Sequence, residues 1–162
     1  MKIKVSLSEA SIDAAIKQLN DYKDSLNRKA QELCERLAYM GATNISIGFS
    51  RAIYTGPMDF SVSVEQLTPN KYRVVADGET ILFAEFGSGI TYGGGHPLNS
   101  QFGYGPGTYP GQTHALTGKG WYLPKDKGGG HTYGNPPNMP VYNTAKDLRN
   151  EIERVAREVF HT

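Results

Sequence analysis

One cysteine, Cys34, stands among 162 residues, which excludes an internal disulfide framework and a cysteine-rich zinc site and fits a reducing compartment. No run of 18 apolar residues is present, so no membrane-spanning helix is expected. The stretch Met1 to Leu7 is too short and too polar for a signal peptide, and the expectation is a soluble, unexported chain. Charge of one sign is missing too. The 17 Lys and Arg against 16 Asp and Glu leave a net charge of +1, without the basic field that gathers nucleic acid or anionic membrane. Charge therefore names no partner.

The length fits one domain of roughly 100–200 residues, and Gly 19 with Pro 9 stays under the roughly 25–30% that marks low-complexity chains. The glycines are unevenly placed. Outside residues 87–134 only Gly41, Gly48, Gly56 and Gly78 occur, so 15 of the 19 fall inside that window. Charge thins there to Lys119, Lys125, Asp126 and Lys127, while Tyr92, Phe102, Tyr104, Tyr109, Trp121, Tyr122 and Tyr133 gather.

Before the window, Ile12, Ile16, Leu19, Leu26, Ala30, Leu33, Leu37 and Met40 recur at spacings of 3, 4 and 7, with Tyr22 or the stem of Lys23 filling the gap. This predicts a helix over 8–41, either continuous or bent near Asn20 and Asp21. Ser8 or Ser11 is expected to cap it, and Gly41 to follow its last turn. Its amphipathic stripe needs a cover, either the following sheet or a neighbouring subunit. Residues 44–86 change period: Asn44 to Phe49, Asp59 to Leu67, Lys71 to Ala76 and Thr80 to Phe86 carry strand-like composition, with turns at Thr68-Pro69-Asn70 and Asp77-Gly78. Lys2 to Leu7 is a candidate edge strand. A second amphipathic helix is predicted over 139–161 from Ala145, Leu148, Ile152, Val155, Val159 and Phe160, with Pro140 in its first turn and Asn138 as its cap. The expected fold is a single α+β domain over 1–162: an antiparallel sheet of three to five strands packed on a long N-terminal helix and a C-terminal helix, with a long Gly-rich aromatic loop over 87–138. A loop of that length is either functional or disordered.

Chemical motifs are few. Thr117-Gly118-Lys119-Gly120 holds a G-K pair but lacks the upstream glycine and the hydroxyl of a phosphate-binding loop. Gly103-Tyr104-Gly105-Pro106-Gly107 is neither preceded by a strand nor followed by a helix, as dinucleotide binding requires. His96, His114 and His131 share the window at spacings that match no ligand pair, which favours loop histidines over a zinc site. Cys34 sits in the helix as a half-buried thiol rather than a nucleophile. Glu85, bracketed by apolar residues, finds no second carboxylate in the window but Asp126, so paired-acid hydrolysis lacks support. The aromatics suit stacking on sugars or bases, and equally suit stapling the loop to its own domain or to a neighbour.

Four segments resemble a known family. Ile81-Leu82-Phe83-Ala84-Glu85-Phe86-Gly87-Ser88-Gly89-Ile90, then Gly103-Tyr104-Gly105 with Gly107-Thr108-Tyr109-Pro110, then Gly120-Trp121-Tyr122, and finally Gly134-Asn135-Pro136-Pro137-Asn138-Met139-Pro140-Val141-Tyr142-Asn143-Thr144-Ala145 are similar to tail-completion, or head-tail connector, proteins of tailed bacteriophages and prophages. The resemblance covers roughly residues 5–160. It implies a non-enzymatic virion protein in the neck or upper tail, assembled in the host cytoplasm as a homo-oligomeric ring of six copies. Its expected partners are itself and other neck, tail-tube or tail-terminator proteins, with DNA passing through the lumen without sequence-specific binding. It implies no catalytic residue, cofactor, metal or membrane partner.

On this reading Glu85 to Ile90 would end the last strand in a glycine-assisted turn, and the loop would reach a neighbour with Trp121 and Tyr122 as anchors. Glu85, Phe86, Gly87, Tyr104, Tyr109, Trp121, Tyr122, Asn135 and Asn138 are the candidate interface residues. A competing role for Glu85 is a carboxylate bonded to the loop's own N–H groups. The alternative function is a cell-wall-active enzyme or carbohydrate-binding module in which Glu85, His114 and the aromatics form a cleft. A DNA-binding or packaging accessory role is disfavoured by the neutral charge.

Overall fold

A computed structural model describes residues 3–90, 92, 95–109 and 119–161. Helix α1 runs without interruption over Glu9–Ser50, so of the two readings left open the single helix holds. It also continues past Gly41, through residues expected to form a strand at 44–49. The stripe that decides this is Ala38, Gly41, Ile45 and Phe49, all buried at helical spacing. The β-branched pair Ile45 and Ile47 raised strand propensity, but burial along one helical face outweighs propensity. Gly41 is thus no helix end. A Cβ there would lie 3.1 Å from the Leu148 side chain, and one on Gly48 2.8 Å from Pro140. Both glycines let the C-terminal helix approach α1 closely. At the other end Ser8 takes the N-cap position, yet its side chain makes no capping bond; its carbonyl accepts the Ser11 and Ile12 N–H groups.

Strands β1 (Ser61–Thr68) and β2 (Lys71–Asp77) form an antiparallel hairpin around the expected turn at residues 68–71, in a register from Ser61 opposite Asp77 to Thr68 opposite Lys71. Glu65 and Arg73 face one another across it and form an exposed ion pair at 2.6 Å. The inner face brings Val62, Val74 and Ala76 onto Ile45, Phe49 and Ala84, with the Phe60 ring tilted against Phe49 at 5.4 Å. This is the core, and it sits at the C-terminal end of α1.

The sheet stops at two strands. The segment 80–86, expected as a further strand, is helix α2 (Ile81–Phe86). A strand would have placed Ala84 and Phe86 on one face and Glu85 on the other, whereas all three are buried. A short helix satisfies that demand because Ile81 and Ala84, three residues apart, both reach the core. Residues 3–7 form no strand, and Lys2 lies outside the described residues.

The described part of the window carries short structure of its own: helix α3 (Asn99–Phe102), a two-stranded sheet of β3 (Trp121–Tyr122) and β4 (His131–Thr132), and a single 3-10 turn at Lys125–Lys127. Among the described residues the strands therefore make two separate two-stranded sheets within an α+β fold, in place of one sheet of three to five strands. Helix α4 (Pro140–His161) packs antiparallel along the C-terminal part of α1, as expected. Pro140 lies by Gly48, Leu148 by Gly41, and Lys29 donates from Nζ to the Phe160 carbonyl at 3.3 Å. Val155 and Val159 are almost fully buried in this contact region. None of the described helices is long and apolar enough to cross a membrane.

Candidate functional site

The first and last of the four sequence segments meet in space through Ser88 and Asn135, 47 residues apart. Helix α2 ends at Gly87 (φ 79°), where a Cβ would stand 2.9 Å from the Pro137 nitrogen. Ser88 then pairs with Asn135 as an antiparallel bridge, Ser88 N–H donating to the Asn135 carbonyl at 2.9 Å and Asn135 N–H to that of Ser88 at 3.2 Å. Gly134 (φ 96°) has no room for a side chain, since a Cβ would strike the Ser88 carbonyl. The Ser88 hydroxyl bonds the Asn135 side-chain oxygen, and Asn135 Nδ2 donates to the Phe83 carbonyl at 2.7 Å. Asn138 closes the knot. Its side chain accepts the Ile53 N–H at 2.7 Å and donates to the Ile53 carbonyl at 3.1 Å, while its own N–H donates to Ala84 at 2.8 Å.

Asn138 is therefore not the cap of α4. The helix follows Met139, whose φ is 57°, and begins with Pro140, which has no N–H to satisfy. The next two donors go to Glu85, Val141 N–H to Oε2 at 2.8 Å and Tyr142 N–H to Oε1 at 2.9 Å. The carboxylate of α2 thus caps a helix that starts 55 residues later, and the partial positive charge of that helix end favours an anion there.

His96 completes the arrangement. Its Nε2 lies 3.1 Å from Glu85 Oε1, while its Nδ1 accepts the Leu98 N–H at 3.1 Å. An Nδ1 that accepts must be unprotonated, so Nε2 carries the hydrogen and donates it to the carboxylate. Glu85 and His96 are only 6% and 4% exposed. Three donors converge on Glu85, which offsets the cost of burying it. Glu85 therefore bonds backbone N–H groups, as in the competing reading, but those of α4 and not those of the loop. It also leaves a helix rather than a strand.

The aromatic residues of 95–109 fold back on α2. Phe86 contacts His96 at 4.5 Å and Tyr104 at 5.5 Å, Tyr104 stacks on Tyr109 at 5.9 Å, and Phe83 meets Tyr109 edge-on at 4.5 Å. The Tyr109 hydroxyl donates to the Leu82 carbonyl at 2.8 Å. Burial, followed by the nearby Tyr104 and Tyr54 phenols, pushes the Tyr109 phenol well above its ordinary value of 10.0. Of the sequence-predicted site residues, Glu85, Phe86, Gly87, Tyr109 and Asn135 are buried inside the chain, and Tyr104, Trp121 and Asn138 are partly so. Tyr122 alone stands out, 79% exposed. It meets His131 at 4.9 Å, and His131 meets Tyr133 at 4.8 Å, giving a short exposed aromatic row.

The two described histidines of the window have different neighbours. His96 is bound to Glu85, His131 lies in the surface row, and His114 is outside the described residues, as is the Thr117-Gly118 half of the G-K segment. Among the described residues no group of three or more His, Cys, Asp or Glu is placed to hold a metal ion. Cys34 donates its thiol hydrogen to the Asn70 carbonyl at 3.3 Å, pinning the hairpin turn to α1.

Beside Glu85 opens an apolar cavity of about 570 Å³. It is walled by Ile45 and Phe49 of α1, Leu82 and Phe86 of α2, Phe102, and Tyr142 of α4, with Arg149 among its lining residues. Sequence reading missed His96 as the partner of Glu85 and Ser88 as the partner of Asn135. The available signal was a lone buried-looking carboxylate and a helix opening on Pro-Val-Tyr with no acidic residue in its first turn. Comparison with family models, with characterised proteins and with solved structures finds no match to this chain.

Proposed function

We propose that the chain is a non-enzymatic virion assembly protein, a ring-forming part of a phage neck or tail-completion complex that joins head and tail. The observation that carries this reading is the set of exposed apolar side chains on the N-terminal part of α1, which α4 does not reach. α4 ends beside Lys29, and beyond that point Ile12, Ile16 and Leu19 remain 44%, 51% and 54% exposed on one helical face. A helix of 42 residues extends about 63 Å at 1.5 Å per residue, more than the rest of this small fold covers. An apolar stripe of that kind calls for a neighbour. The four motif segments add a resemblance in the same direction, and the use of Glu85 as a helix cap accounts for its burial without a catalytic role.

A second reading has one observation in its favour. The exposed row of Tyr122, His131 and Tyr133 suits stacking on a sugar ring, as a carbohydrate-binding module would use it. Deleting the gene from the phage or prophage that carries it separates the two. Filled heads and finished tails that fail to join, restored by the wild-type gene, are expected. Normal joined particles without the protein, or binding to isolated peptidoglycan that Tyr122→Ala abolishes, would replace the neck reading.

A further inference from the structure

The chain exposes large apolar side chains in two places, which lie at opposite ends of α1. One is the stripe of Ile12, Ile16 and Leu19. The other is the mouth of the cavity, where Leu82 and Phe102 are 39% and 52% exposed above a floor of buried Ile45, Phe49 and Phe86. From Leu19 to Ile45 the helix is unbroken, a separation of about 39 Å at 1.5 Å per residue. One chain therefore cannot bring its own stripe to its own cavity.

The geometry points to a head-to-tail contact in which the α1 stripe of one copy seats in the Glu85-side cavity of the next. Charge matches across it at the N-terminal end of the stripe. Glu9 and Asp13 flank the stripe, on the same helical face as Ile12 and Ile16 by spacings of 3 and 4. Arg149 lines the cavity, and Lys146 stands one turn before it on α4, 6.0 Å over the Tyr142 ring. Neither Lys146 nor Arg149 makes an ion pair among the described residues, whereas Arg154 and Arg157 further along α4 are both paired. The acidic groups of one copy thus meet the free basic groups of the other, which orients the encounter and opposes stripe-to-stripe approach at the acidic end.

The cavity suits such a guest. Its volume lies within the roughly 300–1,000 Å³ range of binding pockets, and its lining is mainly aliphatic and aromatic. The carboxylate at its side, Glu85, already holds three donors, so an aliphatic side chain entering there strands no unsatisfied carboxylate. Because the two surfaces differ, the contact is heterologous. It repeats around a ring where the rotation closes, rather than stopping at a two-fold pair. The inference gives the ring reading above a contact between subunits and rests on that reading for its setting.

Sedimentation of the purified full chain tests it from micromolar to millimolar concentration, with circular dichroism as the folding control. Wild type is expected to self-associate. Ile16→Asp, on an exposed helix face, and Leu82→Asp, at the cavity, are each expected to weaken association about tenfold or more, as loss of a central contact does. Mixed one to one, the two variants keep one intact stripe and one intact cavity between them, so they should form a two-chain complex that grows no further. Arg149→Glu should weaken association, and Asp13→Lys on the partner copy should restore part of it. Three results would overturn the contact: a wild type monomeric throughout, a Leu82→Asp variant that associates as wild type does, or a mixture that stays monomeric. These measurements use no virion, so a chain found missing from particles would defeat the neck reading and leave the contact to be decided by sedimentation.

Discussion

Glu85 Oε1 lies 2.9 Å from the backbone nitrogen of Tyr142, so a carboxylate on one short helix closes the N-terminus of another that begins 55 residues further along the chain. The same oxygen takes the His96 Nε2 hydrogen. One buried anion therefore joins α2, the aromatic segment and α4, and its loss should be felt in all three.

Glu85→Gln keeps the shape but loses the charge and turns an amide toward backbone donors. Hydrogen bonds to charged groups contribute about 1.5–3 kcal/mol, and a loss of that order in urea-unfolding stability is expected. Amide exchange at Val141 and Tyr142 should accelerate more than exchange in the middle of α4. Unchanged stability together with unchanged exchange at those two amides would show that the cap is not needed.

Gly134→Ala and Gly103→Ala make a matched pair. Both glycines have positive φ, 96° and 69°, but a Cβ at Gly134 would meet the Ser88 carbonyl, whereas at Gly103 nothing lies within 4 Å. Backbone strain alone should cost about 1–2 kcal/mol at Gly103. Strain plus the clash should cost about 2–5 kcal/mol at Gly134. Thermal unfolding of the two variants checks the order, and equal losses would mean that the Ser88–Asn135 bridge yields easily.

Tyr109 carries a pH prediction. Its phenol is raised above 10.0 by burial, then by Tyr104 and Tyr54, so the folded chain holds the proton to higher pH than the unfolded chain does. The resulting stability is complete below the unfolded value of about 10 and is lost as pH rises beyond it. Urea midpoints measured from about pH 8 to about pH 12 should fall steeply above 10. Tyr109→Phe should start lower, for want of the bond to Leu82, and fall less. Parallel curves for the two proteins would remove Tyr109 as the cause.

The periodicity of α1 and α4, the hairpin around residues 68–71 and the position of Pro140 were legible because each depends on neighbours within a few residues. Residues 44–49 misled because β-branched composition suggests a strand, while the stripe of Ala38, Gly41, Ile45 and Phe49 becomes visible only when the helix is allowed to run on. Residues 80–86 misled for a related reason. Seven mostly apolar residues hold too few turns to separate the two periods, and burial of Ala84, Glu85 and Phe86 together is a fact of packing. The candidate site was half legible: Glu85, Asn135 and Asn138 were singled out, but not that they belong to one knot, nor that His96 joins it.

By itself the sequence determined that this is an α+β chain with two amphipathic helices, a hairpin and a Gly-rich aromatic segment, since helix period, turn residues and glycine placement act locally. Only the tertiary structure decided that the aromatic residues of 95–109 pack against α2, that Glu85 caps α4, and that the stripe of Ile12, Ile16 and Leu19 lies beyond the reach of α4. Those outcomes depend on contacts between residues far apart in the chain. What settles them is which buried N–H groups still need an acceptor and which apolar faces still lack a cover, and neither can be counted until the helices are packed.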